Sequence, residues 1–251
     1  MLTLVTVPPG SFHRRLENDR FQTVHITKTL AWQERPVTHA QYRTYLDAIG
    51  SLADPVLEIW EGGDWKDGPL FSAANIHGDD HPVVGVSYND ALSFISWISE
   101  RDGRRYRLPT EAEHEYATRA ACSCARECTA LRVPQRTHEG RAWPDAFTAC
   151  WQTADANPNP FGLYGLNGVL WQWCSDWYAP YPDSGVESDP QGPAAKPAQS
   201  FWKGRILPAG RIIRGGSFSY PEWYGRCDNR HFSFATDRNV NLGFRLVFEC
   251  D

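Results

Sequence analysis

The chain has 251 residues, a length that suits one large domain or two small ones with a substantial core. Hydrophobic residues make up 41% and charged residues 22%, the balance of a globular protein, and no apolar stretch approaches the length of a membrane span. The net charge of −5, without any block of basic residues, argues against a protein that binds nucleic acid electrostatically.

The N-terminal part of the chain predicts two short strands. Residues 2–7 and 23–27 carry strand patterns, and a polar loop separates them. Residues 1–10 lack the basic start and the unbroken apolar run of a signal peptide. We therefore expect the cytoplasm as the default compartment.

The first predicted helix is marked by its cap. Thr38 suits the N-cap, and an apolar stripe runs over residues 40–49, where Tyr42 and Ile49 are members. Gly50 then ends the helix. The next stretch, residues 51–82, has no period and is predicted to be a long loop.

Two further helices are predicted from capping boxes, in which an N-cap hydroxyl and an acidic side chain three residues later satisfy each other's backbone. Ser87 and Asp90 open the second helix, which includes Leu92 on its apolar side. Thr110 and Glu113 open the third. The capping box and the helix dipole explain the acidic residues at this start more simply than acid–base catalysis does.

A cysteine cluster lies in residues 121–160, which have no regular pattern and are predicted to be an insert. Cys122, Cys124 and Cys128 form the cluster, and His138 is available as a fourth metal ligand. The spacing is not that of the common zinc motifs. Free thiols or one disulfide are the simpler interpretation, because seven cysteines in a chain without a signal sequence argue against a full disulfide framework.

A tryptophan-rich strand follows the insert, over residues 169–174. Trp171, Trp173 and Trp177 alternate, so we expect them in the core or as a floor beneath a binding surface. Residues 179–210 are rich in Pro, Gly, Asp and Ala, which predicts a long surface loop. Few helices, many short strands and long loops together indicate an α+β fold.

The end of the chain holds two strand patterns that bracket a tract without periodicity. Residues 211–214 and 244–248 alternate, and Gly215-Gly216 suits a tight turn or a close backbone approach. The residues between them are mostly aromatic or small and polar. A buried segment would instead contain aliphatic residues at a regular period. This composition is typical of an exposed binding surface.

Seven motifs occur in a fixed order along the chain: residues 36–42 (PVTHAQY), 81–88 (HPVVGVSY), 107–117 (RLPTEAEHEYA), 161–164 (FGLY), 171–178 (WQWCSDWY), 214–217 (RGGS) and 243–246 (GFRL). In that order they resemble the formylglycine-generating-enzyme, or sulfatase-modifying-factor, family. The resemblance covers nearly the whole chain. It implies a single domain over residues 1–251 with an elaborated C-type-lectin-like α+β fold.

The resemblance leaves three kinds of function, because this family contains three kinds of protein. Some members are copper-dependent oxidases that convert a substrate Cys to formylglycine, and some are iron-dependent sulfoxide synthases. Others are variable proteins of diversity-generating retroelements, which have a hypermutated C-terminal segment that binds different ligands.

Both enzymatic functions require residues that this chain does not have. The oxidases need two cysteines after the Gly-Gly-Ser motif as soft ligands for copper. Here that tract contains only Cys227, and residues such as Tyr220 and Tyr224 stand where the cysteines are expected. The sulfoxide synthases need a His triad, and no H-x3-H-x-E motif occurs. An oxidase-like enzyme with an unusual metal site of Cys227 and a His is the first alternative.

Related enzymes also bind calcium, partly through an Asn in a Gly-Asn-Val-Trp-Glu-Trp pattern. The equivalent residues here are 168–173, in which Val169 takes the Asn position and Gln172 the Glu position. The loss of an oxygen ligand and a carboxylate argues against calcium. No cofactor is therefore predicted.

The variable proteins match the end of the chain better. Their variable segment starts near Gly-Gly-Ser-Trp and ends at Gly-Phe-Arg-Leu, which corresponds here to residues 214–246. Adenine mutagenesis of AAC codons gives only residues with codons ending in C, and between Ser217 and Gly243 only Glu222 and Trp223 fall outside that set. Certain residues in between resemble the fixed framework of such segments: Arg226, Asn229, Arg230, Asp237, Arg238 and Leu242.

We therefore predict a ligand-binding protein rather than an enzyme, with a variable protein or glycan ligand and no nucleic acid. The arginines at 230, 238 and 245 are expected to make structural hydrogen bonds rather than to bind an anion. A relative with one fixed partner is the second alternative. The predicted ligand-binding residues are Phe218, Ser219, Tyr220, Trp223, Tyr224, Gly225, Cys227, His231, Phe232, Ser233, Phe234, Asn239, Val240 and Asn241.

Overall fold

The computed structural model describes residues 2–16, 19–51, 56–61, 64–69, 78–120, 151–152, 155, 157–202 and 205–250. Three α-helices have both ends in these residues: α1 (His39–Ala48), α2 (Tyr88–Asp102) and α3 (Glu111–Arg119). The strands in the first half of the chain are β1 (Leu4–Val7), β2 (Gly10–Arg15), β3 (Phe21–Ile26), β4 (Leu30–Gln33), β5 (Val56–Glu61) and β6 (Asp64–Pro69). Those in the second half are β7 (Trp171–Trp177), β8 (Val186–Ser188), β9 (Ser200–Trp202), β10 (Arg205–Leu207), β11 (Arg211–Arg214), β12 (His231–Ser233), β13 (Leu242–Gly243) and β14 (Val247–Glu249).

The sheet that positions the C-terminal tract has the strand order β12-β11-β7-β13. The tryptophan-rich strand β7 is antiparallel to β11 and parallel to β13, so the two ends of the tract lie on either side of it. Two other sheets have the orders β1-β4-β14 and β2-β3-β8, while β5-β6 and β9-β10 form hairpins. The last strand thus pairs with the N-terminal part of the chain.

The helix starts predicted from capping are confirmed. Thr38, Ser87 and Thr110 are the N-caps of α1, α2 and α3, and each takes part in a capping box with the residue three positions later. These signals are reliable because both partners lie within one turn of the chain, where tertiary packing changes little.

Several loop predictions are wrong. The predicted loop over residues 51–82 contains the hairpin of β5 and β6, and the loop over residues 179–210 contains β8, β9 and β10. The predicted polar loop between the first two strands contains β2, whose inward side carries the charged Arg14 beside Phe12. Strands of three to six residues, several of them in two-stranded pairs, give too little alternation to be seen in the sequence.

The main core is rich in aromatic residues and lies between the helices α1 and α2 and the sheet of β7 and β13. Phe94 of α2 contacts Tyr42 at 5.7 Å and Phe244 at 5.5 Å between ring centroids. Two members of the predicted helix stripes point outward, since Ile49 is 51% and Leu92 is 43% exposed. Ile49 is already the C-cap of α1, so its direction is no longer set by the helical period.

A second core joins β2, β3, β4 and α3, and a smaller one contains Trp151, Val84 and Phe218. Trp151 comes from the predicted insert, and its ring is buried. The predicted cluster of Cys122, Cys124, Cys128 and His138 lies outside the described residues. Among the described residues, no helix combines the length and apolar composition that crossing a membrane requires.

Candidate functional site

The tract predicted to bind ligand connects β11 to β13, and it begins at a glycine turn. Gly215 and Gly216 have φ values of 100° and 68°, in the left-handed region that favours glycine. A Cβ on Gly215 would lie 2.6 Å from the Leu166 carbonyl oxygen, and one on Gly216 would lie 2.6 Å from the Gly225 nitrogen. The predicted close backbone approach is therefore confirmed.

Backbone hydrogen bonds hold the two ends of the tract against the start of β7. The Phe218 amide donates to the Val169 carbonyl at 2.9 Å, and the Trp171 amide donates to the Asn241 carbonyl at 2.7 Å. Near the far end, the Gly85 amide donates to the Asn239 carbonyl at 2.9 Å. These bonds do not depend on the side chains of the tract.

Arginines fix the middle of the tract from below. Arg214 is buried and donates to the carbonyls of Asn229 at 2.6 Å and Cys227 at 3.1 Å. Arg230 forms a two-point ion pair with Glu111, with N···O distances of 2.8 and 2.6 Å. These contacts hold the chain between the glycine turn and β12.

The other arginines also have structural partners. Arg238 binds Asp90 at the start of α2 through two bonds of 2.8 and 2.9 Å. Arg245 donates to the Gln172 side chain and to the Tyr164 carbonyl, both at 2.6 Å. The prediction that Arg230, Arg238 and Arg245 make structural hydrogen bonds is confirmed.

Four aromatic side chains of the tract form what we call the aromatic patch: Tyr220, Trp223, Tyr224 and His231. Trp223 is 54% and Tyr220 is 39% exposed, and the rings of Trp223 and Tyr224 stack at 3.7 Å. Tyr220 meets Tyr224 edge to face at 4.9 Å. Large rigid rings that contact one another and open to solvent provide contact area at low entropic cost.

The floor of the aromatic patch is Trp171, which is itself buried. Its ring centroid lies 5.7 Å from Tyr220, 6.0 Å from Tyr224 and 5.6 Å from His231. Trp171 belongs to β7, so it is fixed by the central sheet. Its predicted place as a floor under the tract is confirmed.

Small polar side chains lie at one side of the aromatic patch. Asn241 donates to the hydroxyls of Ser219 at 2.8 Å and Ser217 at 3.2 Å, and the two hydroxyls lie 3.1 Å apart. Ser219 is exposed, and Asn241 is half-buried. Among the other predicted contact residues, Ser233, Phe234, Asn239 and Val240 are half-buried.

Four of the predicted contact residues are buried, so the expectation that the whole tract is exposed is wrong. Phe218 is 3% exposed and packs in the core with Val84 and Trp151. Phe232 packs against Tyr178 and Ile212, while Gly225 and Cys227 are buried where Arg214 and the glycine turn approach them. An irregular backbone can bury some of its side chains without any period that the sequence would reveal.

The calcium site of related enzymes does not fit these residues. Val169 is buried in an apolar cluster. The amide oxygen of Gln172 already accepts a hydrogen bond from Arg245 at 2.6 Å, so a cation there would lie against a guanidinium. A copper site does not fit either, because the tract has a single cysteine where two thiolates are required. Among the described residues, no group of three His, Cys, Asp or Glu side chains is arranged to hold a metal.

A buried ionic cluster, which we call the charge network, underlies the tract; its members are Arg14, Glu111, Glu115, Arg119, Arg214 and Arg230. Glu115 accepts from Arg119 at 2.8 Å and from Arg214 at 2.6 Å, and Arg14 lies 3.4 Å away. Burial alone would raise the pKa of Glu111, but Arg230, Arg214 and Arg14 lower it to about 2. The sequence does not reveal this network. Every residue of α3 is buried, including the charged ones, so no polar face marks which charges lie inside.

The comparisons with known proteins agree with this architecture. A family model described as the sulfatase-modifying factor enzyme 1-like domain matches residues 2–250. The formylglycine-generating enzyme of Streptomyces coelicolor is 32% identical over 225 residues, which cover 82% of this chain and 65% of that protein. The chain spans between 37% and 65% of the length of the first curated relatives that it matches.

Two solved structures share the fold over almost the whole chain. PvdO from Pseudomonas aeruginosa has a TM-score of 0.70 at 22% identity, with 98% of this chain and 94% of that chain covered. Treponema denticola variable protein 1 has a TM-score of 0.66 at 19% identity, with 99% and 95% covered. At these identities the likeness shows the fold, which is the predicted C-type-lectin-like α+β type.

Proposed function

Because the chain belongs to the sulfatase-modifying factor enzyme 1-like domain family, we propose that it is a non-catalytic member that presents a diversified ligand-binding surface at its C-terminus. The ligand-binding surface is the aromatic patch together with Ser219, Asn239 and Asn241. The protein would be the variable protein of a diversity-generating retroelement, with a protein or a glycan as its ligand.

One observation carries this proposal: the side chains that hold the tract in place are different from the side chains that it presents. The tract is held by Arg230 on Glu111, by Arg238 on Asp90 and by backbone bonds to β7 and Gly85. Asp237 also accepts from the Phe234 amide at 2.8 Å, which fixes a turn after β12. Residues at the presented positions can therefore change while the backbone keeps its path.

The framework residues that the sequence indicated support the same division. Asn229 donates to the Trp223 carbonyl at 3.1 Å, and Leu242 is buried in the main core. Tyr220 and Trp223, by contrast, mainly contact other rings of the aromatic patch. The likeness in fold to Treponema denticola variable protein 1 is consistent with such a use of the fold.

Sequencing the 3′ end of this gene across a population tests the proposal. We expect differences to cluster in the codons of residues 219–241 and to spare those of Arg230, Asp237 and Arg238. We also expect a near-copy of this DNA, differing only at adenines, beside a reverse transcriptase gene. Differences spread evenly over the gene would overturn diversification and would favour a relative with one fixed partner.

The non-catalytic part of the proposal has a separate test. The purified chain is incubated with copper and a thiol-containing peptide, while oxygen consumption and loss of the thiol are measured. We expect neither, because the tract lacks the pair of thiolates that would hold copper. Turnover that Cys227→Ser abolishes would establish the oxidase alternative.

A further inference from the structure

A cavity of about 270 Å³ lies at the end of β7, beside the charge network. Its walls come from β2, the first turn of α3, the end of β7 and the segment that follows β7. Four prolines, at positions 180, 182, 190 and 193, make much of the wall apolar. Two arginines and three carboxylates also line it, which gives the wall a net charge of −1 when all are ionised: Arg14, Arg230, Glu111, Asp176 and Glu187.

Both arginines of the wall face glutamates of α3. Arg230 forms its two-point ion pair with Glu111. Arg14 is buried, and its Nε lies 3.4 Å from a Glu115 carboxylate oxygen. Within the described residues, neither arginine forms an ion pair with the other two carboxylates of the wall.

Asp176 presents an unpaired carboxylate oxygen to the cavity. The residue is 4% exposed, and its Oδ2 accepts from the Glu111 amide at 2.8 Å and from the Ser175 hydroxyl at 3.2 Å. Its Oδ1 accepts no hydrogen bond from a described residue, and a Cβ on Gly192 would lie only 2.9 Å from it. Glycine at this position of the wall therefore leaves Oδ1 uncovered.

A buried carboxylate without a counter-ion is costly for the fold. No described arginine, lysine or histidine nitrogen lies within ion-pair distance of Asp176. Burial and then the charge of Glu111 raise the pKa of this side chain to about 7, and Arg14 offsets them only in part. The described wall of the cavity thus lacks the positive charge that would stabilise ionised Asp176.

Glu187 supplies a second acceptor from another element, the strand β8. It is half-buried, and its Oε1 accepts from the Ser184 hydroxyl at 2.6 Å. Its other oxygen has no partner among the described residues. An ammonium group has three donors, so one such group can bind two carboxylates at once.

We propose that this cavity binds a small organic ammonium ion. The ammonium group donates to Asp176 Oδ1 and to Glu187, and the apolar body packs against Trp177 and the four prolines. The site is separate from the aromatic patch, because Asp176 lies five residues, or roughly 16 Å, along β7 from Trp171. Ligand binding at the aromatic patch and at this cavity can therefore be tested independently.

Calorimetric titration of the whole chain with protonated benzylamine tests the proposal, with benzyl alcohol as the neutral control of similar shape. The titration is run at pH 8, above the pKa of about 7 of Asp176, so that its carboxylate is ionised. We expect benzylamine to bind, and benzyl alcohol to bind at least about tenfold more weakly. Failure of benzylamine to bind, or equal binding of the alcohol, would overturn the proposal.

Four variants assign the binding to the cavity. Asp176→Asn and Glu187→Gln each remove one negative charge with little change of shape, and each should weaken benzylamine binding by about tenfold. Glu100→Gln, at an exposed position of α2, is the matched control for a lost carboxylate and should leave the affinity as it is. Trp223→Ala should also leave it as it is, whereas a loss there would mean that the cation binds to the rings of the aromatic patch. If both cavity variants bind benzylamine as the wild type does, the cavity is not the site.

Discussion

The aromatic patch and the charge network lie in the same part of the fold and are stabilised in opposite ways. In the charge network, Glu115 alone has three arginine partners at 2.6 to 3.4 Å, and all of them are buried. In the aromatic patch, the most exposed rings, Trp223 and Tyr220, pack on other rings of the patch and on Trp171.

This difference shows where the chain tolerates change. A buried charge that loses its partner leaves an uncompensated ion, which is expensive in a low-dielectric interior. An exposed ring that is removed loses only part of its contact area. We therefore expect substitutions in the charge network to destabilise the protein strongly and substitutions in the aromatic patch to destabilise it little.

The largest effect is expected when the charge network loses its central carboxylate. Glu115→Ala would leave Arg214, Arg119 and Arg14 without their shared partner, and we expect a loss of about 3–5 kcal/mol in the free energy of unfolding. Urea unfolding followed by circular dichroism measures it. Glu100→Ala, at an exposed position of α2, is the matched control and should change stability by less than about 0.5 kcal/mol. Similar losses of unfolding free energy in the two variants would mean that the charge network does not stabilise the fold.

The second prediction concerns the pH dependence of the same network. The pKa of Asp176 is about 7 in the folded protein and lies near its ordinary value of 3.8 in the unfolded chain. The folded state then binds more protons between pH 4 and pH 7, so this group makes the protein less stable as pH rises through that range. Asp176→Asn should remove this loss, and the variant should gain up to about 4 kcal/mol over the wild type above pH 7.

The measurement is a series of urea unfolding curves for both proteins from pH 4 to pH 8. Glu111 acts in the opposite direction, since its lowered pKa adds stability above the unfolded value of 4.5, but it is common to both proteins. The difference between the two curves therefore reports Asp176 alone. A difference that stays constant with pH would show that folding does not raise the pKa of Asp176.

These two predictions depend on contacts that the sequence could not reveal. The ion pairs of Glu115 with Arg214 and of Glu111 with Arg230 join residues 99 and 119 positions apart. Nothing local distinguishes a buried Glu from a helix-dipole partner, so the sequence predicts only a capping box and a helix-dipole role for the acidic start of α3. The hydrophobic periodicity of α3 does not reveal its burial either, because the helix is buried on every side and its charged residues are buried as well.

Features that depend on neighbouring residues were predictable. The three capping boxes, the glycine turn and the alternation of β7 each lie within a few residues of the chain. The exposed tract was only partly predictable. Its composition indicated a surface, but the burial of Phe218 and Phe232 depends on cores built by distant segments.

A smaller loss of stability is expected at the glycine turn, which lies between the charge network and the aromatic patch. Gly215→Ala would place a Cβ 2.6 Å from the Leu166 carbonyl at a φ of 100°, so we expect a loss of roughly 1–3 kcal/mol. Gly185→Ala, where a Cβ meets no atom within 4 Å, should change stability by less than about 0.5 kcal/mol. Thermal unfolding compares the two variants. Equal melting temperatures would show that the turn has room for a side chain.

The smallest effect is expected in the aromatic patch itself. Tyr220→Ser removes an exposed ring that touches Trp171 and Tyr224 at its edge, and we expect a loss below about 1 kcal/mol. Trp173→Ala, on the same β-strand as the floor but fully buried, should cost about 3–5 kcal/mol. Urea unfolding measures both, and backbone amide NMR spectra show whether shifts in Tyr220→Ser stay within residues 217–241. If the change at Tyr220 destabilises the protein as much as the change at Trp173, the ring is part of the core, and the surface is not free to vary.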